Sequence, residues 1–176
     1  MAAEPIRKAQ PDCSLRLDSF DPALADVVAS WVRDEHEARL LAPATRPPLT
    51  ARRVLDWVGP GREPLSLWEA SVAGPIGYGE LNVLHNRRRE FWLGHLIVDP
   101  VHRGRGFGTW LTRLLLRRAF SRKNARRVTL VVVPENEPAI ASYRAAGMRP
   151  DGHETHAFPA SDDRIRLLRM VATRLP

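Results

Sequence analysis

Leu96-Ile-Val-Asp-Pro-Val-His-Arg-Gly-Arg-Gly-Phe-Gly-Thr-Trp-Leu-Thr-Arg-Leu-Leu-Leu-Arg-Arg-Ala-Phe120 is the stretch that decides how the chain reads. It closes a mostly apolar run, Phe91 to Val98, of strand length and ended by Asp99-Pro100. Such a run fits a strand covered on both faces. Gly104, Gly106 and Gly108 then alternate with Arg105 and Phe107, and a helical pattern from Gly108 to about Ser121 follows, burying Leu111, Leu114, Leu115 and Phe120. Glycine puts no side chain between a ligand and the backbone and permits φ > 0. A helix N-terminus adds unpaired N–H groups and partial positive charge. The stretch therefore suits a phosphate, with Arg103 and Arg105 placed to pair with the same anion. Taken alone, the loop reads equally as a tight structural turn. Its Gly-x-Gly-x-Gly spacing excludes the dinucleotide fingerprint, and no Gly-Lys-Ser/Thr follows to make a P-loop.

Outward from this stretch, the chain alternates strands and helices. Ser14 to Asp18 alternates as a short strand, and Asp21-Pro22 opens a helix with Leu24, Val27, Val28 and Trp31 as its apolar stripe; Pro43 stops it. Thr50 caps a second helix through Trp57, ended by Gly59-Pro60-Gly61. Leu65 to Val72 and Pro75 to Leu84 read as strands joined at Ala73-Gly74, and Arg87 to Arg89 turn into the strand Glu90 to Val98. After the long helix come an apolar strand, Val128 to Val133, and a short helix in which Asn136 fits the N-cap and Gly147 the C′ position. His153 to Phe158 and Arg164 to Val171 close the chain as a strand pair around Ala160 to Asp163.

Composition bounds the possibilities. A chain of 176 residues with 44% hydrophobic and 27% charged residues suits one globular domain. Residues 14–176 read as that domain and residues 1–13 as a flexible extension, with no apolar h-region of a secretory signal. No apolar run reaches the ~18–20 residues needed to cross a bilayer. A single cysteine, Cys13, excludes an internal disulfide and a Cys-rich metal site, so the cytoplasm is the default compartment. The net charge of +7 raises a nucleic-acid reading, but no helix-turn-helix, zinc-ligand or RNP signature accompanies it. Arginines scattered over solvated faces, or a basic surface attracting a polyphosphate ligand, account for the charge as well.

Two separate segments carry a resemblance. Arg103, Gly106 and Gly108 meet the pattern Arg/Gln-x-x-Gly-x-Gly/Ala. Asn136-Glu-Pro-Ala139-Ile140-Ala-Ser142-Tyr143-Arg-Ala-Ala-Gly147-Met148 meets Asn-x-x-Ala-x-x-x-Tyr-x-x-x-Gly-Phe, with Met148 replacing Phe. In this order and spacing the chain resembles the GCN5-related N-acetyltransferase (GNAT) superfamily over roughly Leu15 to Val171. The resemblance implies an α/β (α+β) fold with a central mixed, mostly antiparallel twisted sheet of about six to seven strands and about four helices. Two parallel strands, Phe91–Val98 and Val128–Val133, would splay apart at an acetyl-CoA site. Backbone groups of Leu96, Ile97 and Val98 would hold the acetyl carbonyl and pantetheine, and those of Arg103, Gly104, Arg105, Gly106, Phe107, Gly108 and Thr109 the pyrophosphate. Asn136 would meet the pantetheine arm, Ser142 and Tyr143 would also contact the cofactor, and Tyr143 would protonate the leaving sulfur. The implied partners are acetyl-CoA or CoA, no metal, and an amine on a small molecule or protein; homodimers are common in the superfamily.

Acetyl transfer to an amine needs a neutral amine aimed at the carbonyl and a proton for the departing thiolate. A thiol titrates near ~8.5, so the acid need not be strong. Attack within a ternary complex gains mainly from positioning. No nucleophilic side chain is needed, in keeping with the lack of a Ser/His/Asp or Cys/His set. Some relatives carry a Glu base where this chain has Trp92 or Val131, which leaves Glu80 and Glu90 as the carboxylate candidates. His95 is a third, and strand alternation puts it on the opposite face from Glu90. Trp31, Trp57 and Trp92 read either as core or as the lining of an apolar acceptor pocket. Two other readings stay open: a GNAT-like domain that binds acyl-CoA without catalysis, and a basic nucleic-acid-binding module.

Overall fold

Pro75 to Asn82, eight consecutive buried residues mixing small, apolar and a few polar side chains, run through the middle of the molecule. A strand hidden along its whole length needs cover on both faces. The computed structural model, which describes residues 14–157 and 164–174, supplies that cover with helices on either side of one sheet. The strands are β1 (Leu15–Ser19), β2 (Arg62–Glu69), β3 (Pro75–His85), β4 (Glu90–Val98), β5 (Arg127–Val132), β6 (Arg149–Ala157) and β7 (Arg164–Thr173). They lie in the order β1-β2-β3-β4-β5-β7-β6. Every neighbouring pair is antiparallel except β4 with β5, which is parallel. This is the mixed sheet expected from the sequence.

Among the described residues there are five α-helices: α1 (Ala25–Ser30), α2 (Glu35–Leu41), α3 (Ala51–Leu55), α4 (Phe107–Arg122) and α5 (Glu137–Ala145). One core joins α4 and α5 to the sheet through Leu111, Leu115, Phe91, Leu93 and Tyr143. The other packs α1 and α3 on the opposite face around Val28, Val54, Trp57, Tyr78 and Ile97. No helix among the described residues is long and apolar enough to cross a membrane. The expected extension with Cys13, and the turn from Ala160 to Asp163, lie outside the described residues.

Two sequence expectations need correction. The first helix does not run to Pro43; it breaks after Ser30 and restarts as α2. Asp34 causes the restart, because its carboxylate accepts from the Glu37 N–H at 2.8 Å and so acts as a second N-cap. Glu35 and Glu37 accordingly lie in the first turn of α2. Val27, assigned to the apolar stripe, is 39% exposed.

The second correction concerns β4. Tyr78 pairs with Ile97, yet Glu80 pairs with Gly94, so two steps on β3 answer three on β4. The extra residue is a β-bulge centred on His95, whose φ is +45°. Alternation therefore slips by one residue. Phe91 and Leu93 face α4 before the bulge, and Leu96 and Val98 pack on that same side after it. His95 turns instead toward Glu80 and Trp57, the side that strict alternation denied it.

The seating of α4 on the sheet has a measurable consequence. Leu115 is fully buried, and a Cβ built on Gly79 of β3 would lie only 3.0 Å from its Cδ1. Leu115→Ala is expected to destabilise the fold by about 2–5 kcal/mol. In urea unfolding this appears as a lower midpoint with the slope unchanged.

Candidate active site

The loop between β4 and α4 is built to leave backbone donors uncovered. Asp99 accepts from the Val101 N–H at 3.0 Å and starts a single 3-10 turn, Pro100–His102. Gly106 then adopts φ +87° as the N-cap of α4, a conformation that would strain any residue with a Cβ. It has no side chain to cap the helix, so the N–H groups of the first turn are left without a side-chain cap, and no acid lies within that turn. A cleft of about 450 Å³ opens in front of this turn. Gly104, Gly106 and Gly108 border it with Leu96 and Val98 of β4. Asn136, Ser142 and Tyr143 border it from α5 and its cap.

The guanidinium of Arg103, placed by the motif beside an anion, makes its hydrogen bonds within the protein. Its Nε donates to Val98 O at 3.0 Å, Nη2 to Trp31 O at 2.7 Å, and Nη1 to Glu37 Oε1 at 2.8 Å. The guanidinium is a strut tying the loop to β4, to the end of α1 and to α2. Arg105 lies over the Phe107 ring, 5.4 Å from its centroid. Arg105 and Thr109 flank the cleft without bordering it. Ile97 is also absent from its wall: the side chain is buried against Tyr78, and the residue pairs with Tyr78 across β3.

β4 and β5 pair only at Glu90–Trp92 with Arg127–Thr129 and part beyond that point. A narrow throat of about 40 Å³ occupies the gap, with His95 and Leu96 on one side and Leu130 to Val133 on the other. Tyr143 and Asn136 reach both the throat and the first cleft. Asn136 accepts from the Ala139 N–H at 3.3 Å and donates to Leu40 O at 3.4 Å, so its amide is held in place. Tyr143 has its hydroxyl titration pushed up to about 12 by burial, which keeps the phenol protonated.

Past the throat lies a wider cleft of about 750 Å³. Glu80, with no exposed surface, stands behind its wall. Its Oε1 accepts from Tyr78 Oη at 3.0 Å and from His95 Nδ1 at 2.8 Å, and Oε2 accepts from Asn82 Nδ2 at 2.8 Å. Burial opposes the charge, but the donors from His95, Asn82 and Tyr78 outweigh it and hold the carboxyl below its ordinary range. An ionised carboxylate only accepts, so neutral His95 carries its proton on Nδ1 and keeps the Nε2 lone pair. The imidazole stacks on Trp57 at 3.8 Å and 4° and borders both the throat and the wider cleft. Gly94 is essential to this arrangement, since a Cβ there would lie 2.8 Å from Glu80 Oε2 and 2.7 Å from Trp92.

The expected site residues thus separate. Trp57 and Trp92 line the wider cleft. Trp31 does not: it is buried in the helical core, and only its carbonyl acts, on Arg103. Glu90 stands opposite Arg127 in the β4–β5 backbone ladder and borders none of the three clefts. Glu80 and His95 were separate candidates in the sequence; their contact was not legible because the bulge changes the strand's phase. Gly94 within an otherwise apolar strand was its one local signal.

The profile of the acetyltransferase (GNAT) family matches residues 25–148. The spermidine N(1)-acetyltransferase of Escherichia coli K12 is 33% identical over 102 residues, which are 58% of this chain and 53% of that protein. That of Vibrio cholerae is 30% identical over 90 residues, 51% of this chain and 50% of its own length. The chain thus spans about half the length of the curated relatives it matches. The crystal structure of spermidine N-acetyltransferase from Vibrio cholerae in complex with CoA and spermine superposes with a TM-score of 0.75 at 19% identity. That superposition covers 91% of this chain and 95% of the other, and it establishes likeness of fold.

Glu37 reports on the strut. The hydrogen bond from Arg33 opposes the effect of burial and, with the Arg33 N–H and Arg103, lowers its carboxyl to about 2. A depressed carboxyl stabilises the fold above its unfolded value of ~4.3. That contribution disappears as pH falls toward about 2. Thermal melts of Glu37→Gln are expected to lie below wild type at pH 6 and to converge with it between pH 4 and 2.

Proposed function

This chain belongs to the acetyltransferase (GNAT) family, and from that premise we propose that it moves an acetyl group from acetyl-CoA to a primary amine by direct attack in a ternary complex. One observation carries the reading: an anion-ready loop, a throat between parted strands and a carboxylate-backed imidazole lie along clefts that share walls. The uncapped N–H groups of α4's first turn suit the pyrophosphate of CoA, and the unpaired edge of β4 suits the amides of its pantetheine arm. Leu96 and Val98 supply an apolar side to that arm. The thioester then reaches the throat, where Tyr143 and His95 border the same space.

The acceptor enters from the wider cleft. Its amine attacks the thioester carbonyl carbon, the C–S bond breaks, and an amide forms. His95 Nε2 takes the ammonium proton, directly or through a water, while Glu80 holds the other ring nitrogen and stabilises the imidazolium. Tyr143, kept protonated by its burial, gives a proton to the departing sulfur. His95 replaces Glu80 and Glu90 as the base, and Glu80 becomes the residue that orients it.

Steady-state kinetics divide these roles. His95→Gln is expected to lower kcat by about 10²–10⁴ and to abolish the acidic limb of the pH–rate profile. Glu80→Gln removes the carboxylate that orients the ring and should lower kcat with little change in KM. Tyr143→Phe should reduce kcat while calorimetric affinity for acetyl-CoA stays within a few-fold. An unchanged kcat in both His95→Gln and Glu80→Gln would remove the pair from the mechanism. Acetyl-CoA binding without thiol release from any amine would reduce the protein to an acyl-CoA-binding domain.

A further inference from the structure

The wall of the wider cleft carries charge that acetyl transfer itself leaves unused. Arg46, Arg53, Arg62 and Arg169 border it, against two carboxylates, Asp56 and Glu154. Both acids are already matched. Glu154 accepts from Arg169 at 2.9 Å and lies 2.8 Å from His156, and Asp56 pairs with Arg52 at 3.4 Å. Arg46, Arg53 and Arg62, by contrast, form no ion pair with a described carboxylate. Arg53 donates to the carbonyls of Arg46 and Pro48, and Arg62 donates to Trp57 O at 2.8 Å. Carbonyl partners fix a guanidinium in place and leave its charge uncompensated. Such a planar donor fork is matched by a carboxylate.

The same cleft holds Trp57 and Trp92, and His95 sits at its inner end where the throat begins. These arginines are on the far side of the throat from the loop at α4, so the pyrophosphate of CoA does not account for them. Resting on the acetyl-transfer reading above, we infer that the acceptor is an amine bearing a carboxylate on an apolar or aromatic body, its amine directed to His95 and its carboxylate to Arg53 and Arg62. A polyamine brings several cations to a wall whose unpaired charges, among the described residues, are all positive, and repulsion opposes its entry. The specificity of this chain therefore departs from that in the names of its spermidine-acetylating relatives.

Matched acceptors test this with the full chain. Thiol release from acetyl-CoA is followed with 4-(aminomethyl)benzoate against benzylamine, phenylalanine against phenethylamine, and spermidine. The carboxylated member of at least one pair is expected to have a kcat/KM about tenfold or more above its partner, the effect of one charge-assisted hydrogen bond. Arg53→Gln and Arg62→Gln, made separately and checked for folding by circular dichroism, should each shrink that ratio, mainly through KM. Preference for spermidine or for the uncarboxylated amines, or a ratio untouched in both variants, overturns the inference while leaving acetyl transfer standing. If no amine releases thiol, transfer itself fails. The inference is then judged by calorimetry of 4-(aminomethyl)benzoate and benzylamine with CoA-loaded protein: selective binding of the acid, weakened in the variants, supports it, and equal or absent binding overturns it.

Discussion

A carboxylate with no exposed surface must find hydrogen-bond donors, and Glu80 sets the terms for the residues around it. Tyr78 and Asn82, two residues away on either side of it along β3, supply two donors. The third comes from β4, and a regular strand would point His95 to the wrong face. The extra residue and the positive φ at His95 bring the imidazole to Glu80, and Gly94 leaves room for the carboxylate beside Trp92. Replacing any one partner strands a buried polar group, whose cost exceeds the net gain of an ordinary hydrogen bond. The bulge is thus held by the charge it satisfies.

That local adjustment also organises what lies downstream. Because alternation slips at His95, Leu96 and Val98 emerge on the α4 side and border the first cleft, while Ile97 seals the opposite core. β4 then leaves β5 after Trp92, and the throat forms where their ladder ends. A parallel pair stays together only while its strands run side by side, and β5 continues with β7 instead. One bulge therefore provides both a surface for the proposed thioester arm and an imidazole at the point where the proposed acceptor would meet it.

The sequence was legible where a local pattern has one structural outcome. Alternating glycines before a 16-residue helix announced the loop, and Asn136, accepting from the Ala139 N–H, is the N-cap of α5 as the pattern required. The parallel pair β4–β5 followed from the resemblance. Legibility failed where one residue changes the phase or meaning of its neighbours. Asp34 divides a helix that composition joined, and His95 reverses a face that alternation assigned. Trp31 and Trp57, alike in a string of letters, separate because only Trp57 stacks on His95 at the cleft, whereas Trp31 contributes a carbonyl to Arg103.

Arg103 makes the sharper case. By position it belongs to the anion loop, yet three of its donor atoms are spent on Val98, Trp31 and Glu37. An anion competing for that guanidinium would have to break bonds to a carboxylate and two carbonyls, and a helix N-terminus already offers unpaired N–H groups close by. The proposed division of labour follows from this: backbone amides are left for the phosphate of the proposed cofactor, and the arginine ties their loop to α2. Glu37 borders the first cleft, and Leu41 of the same helix borders that cleft, the throat and the wider cleft. The strut consequently fixes the loop and one shared wall of all three spaces with a single side chain, so the geometry of the proposed cofactor site and that of the proposed acceptor site are set together.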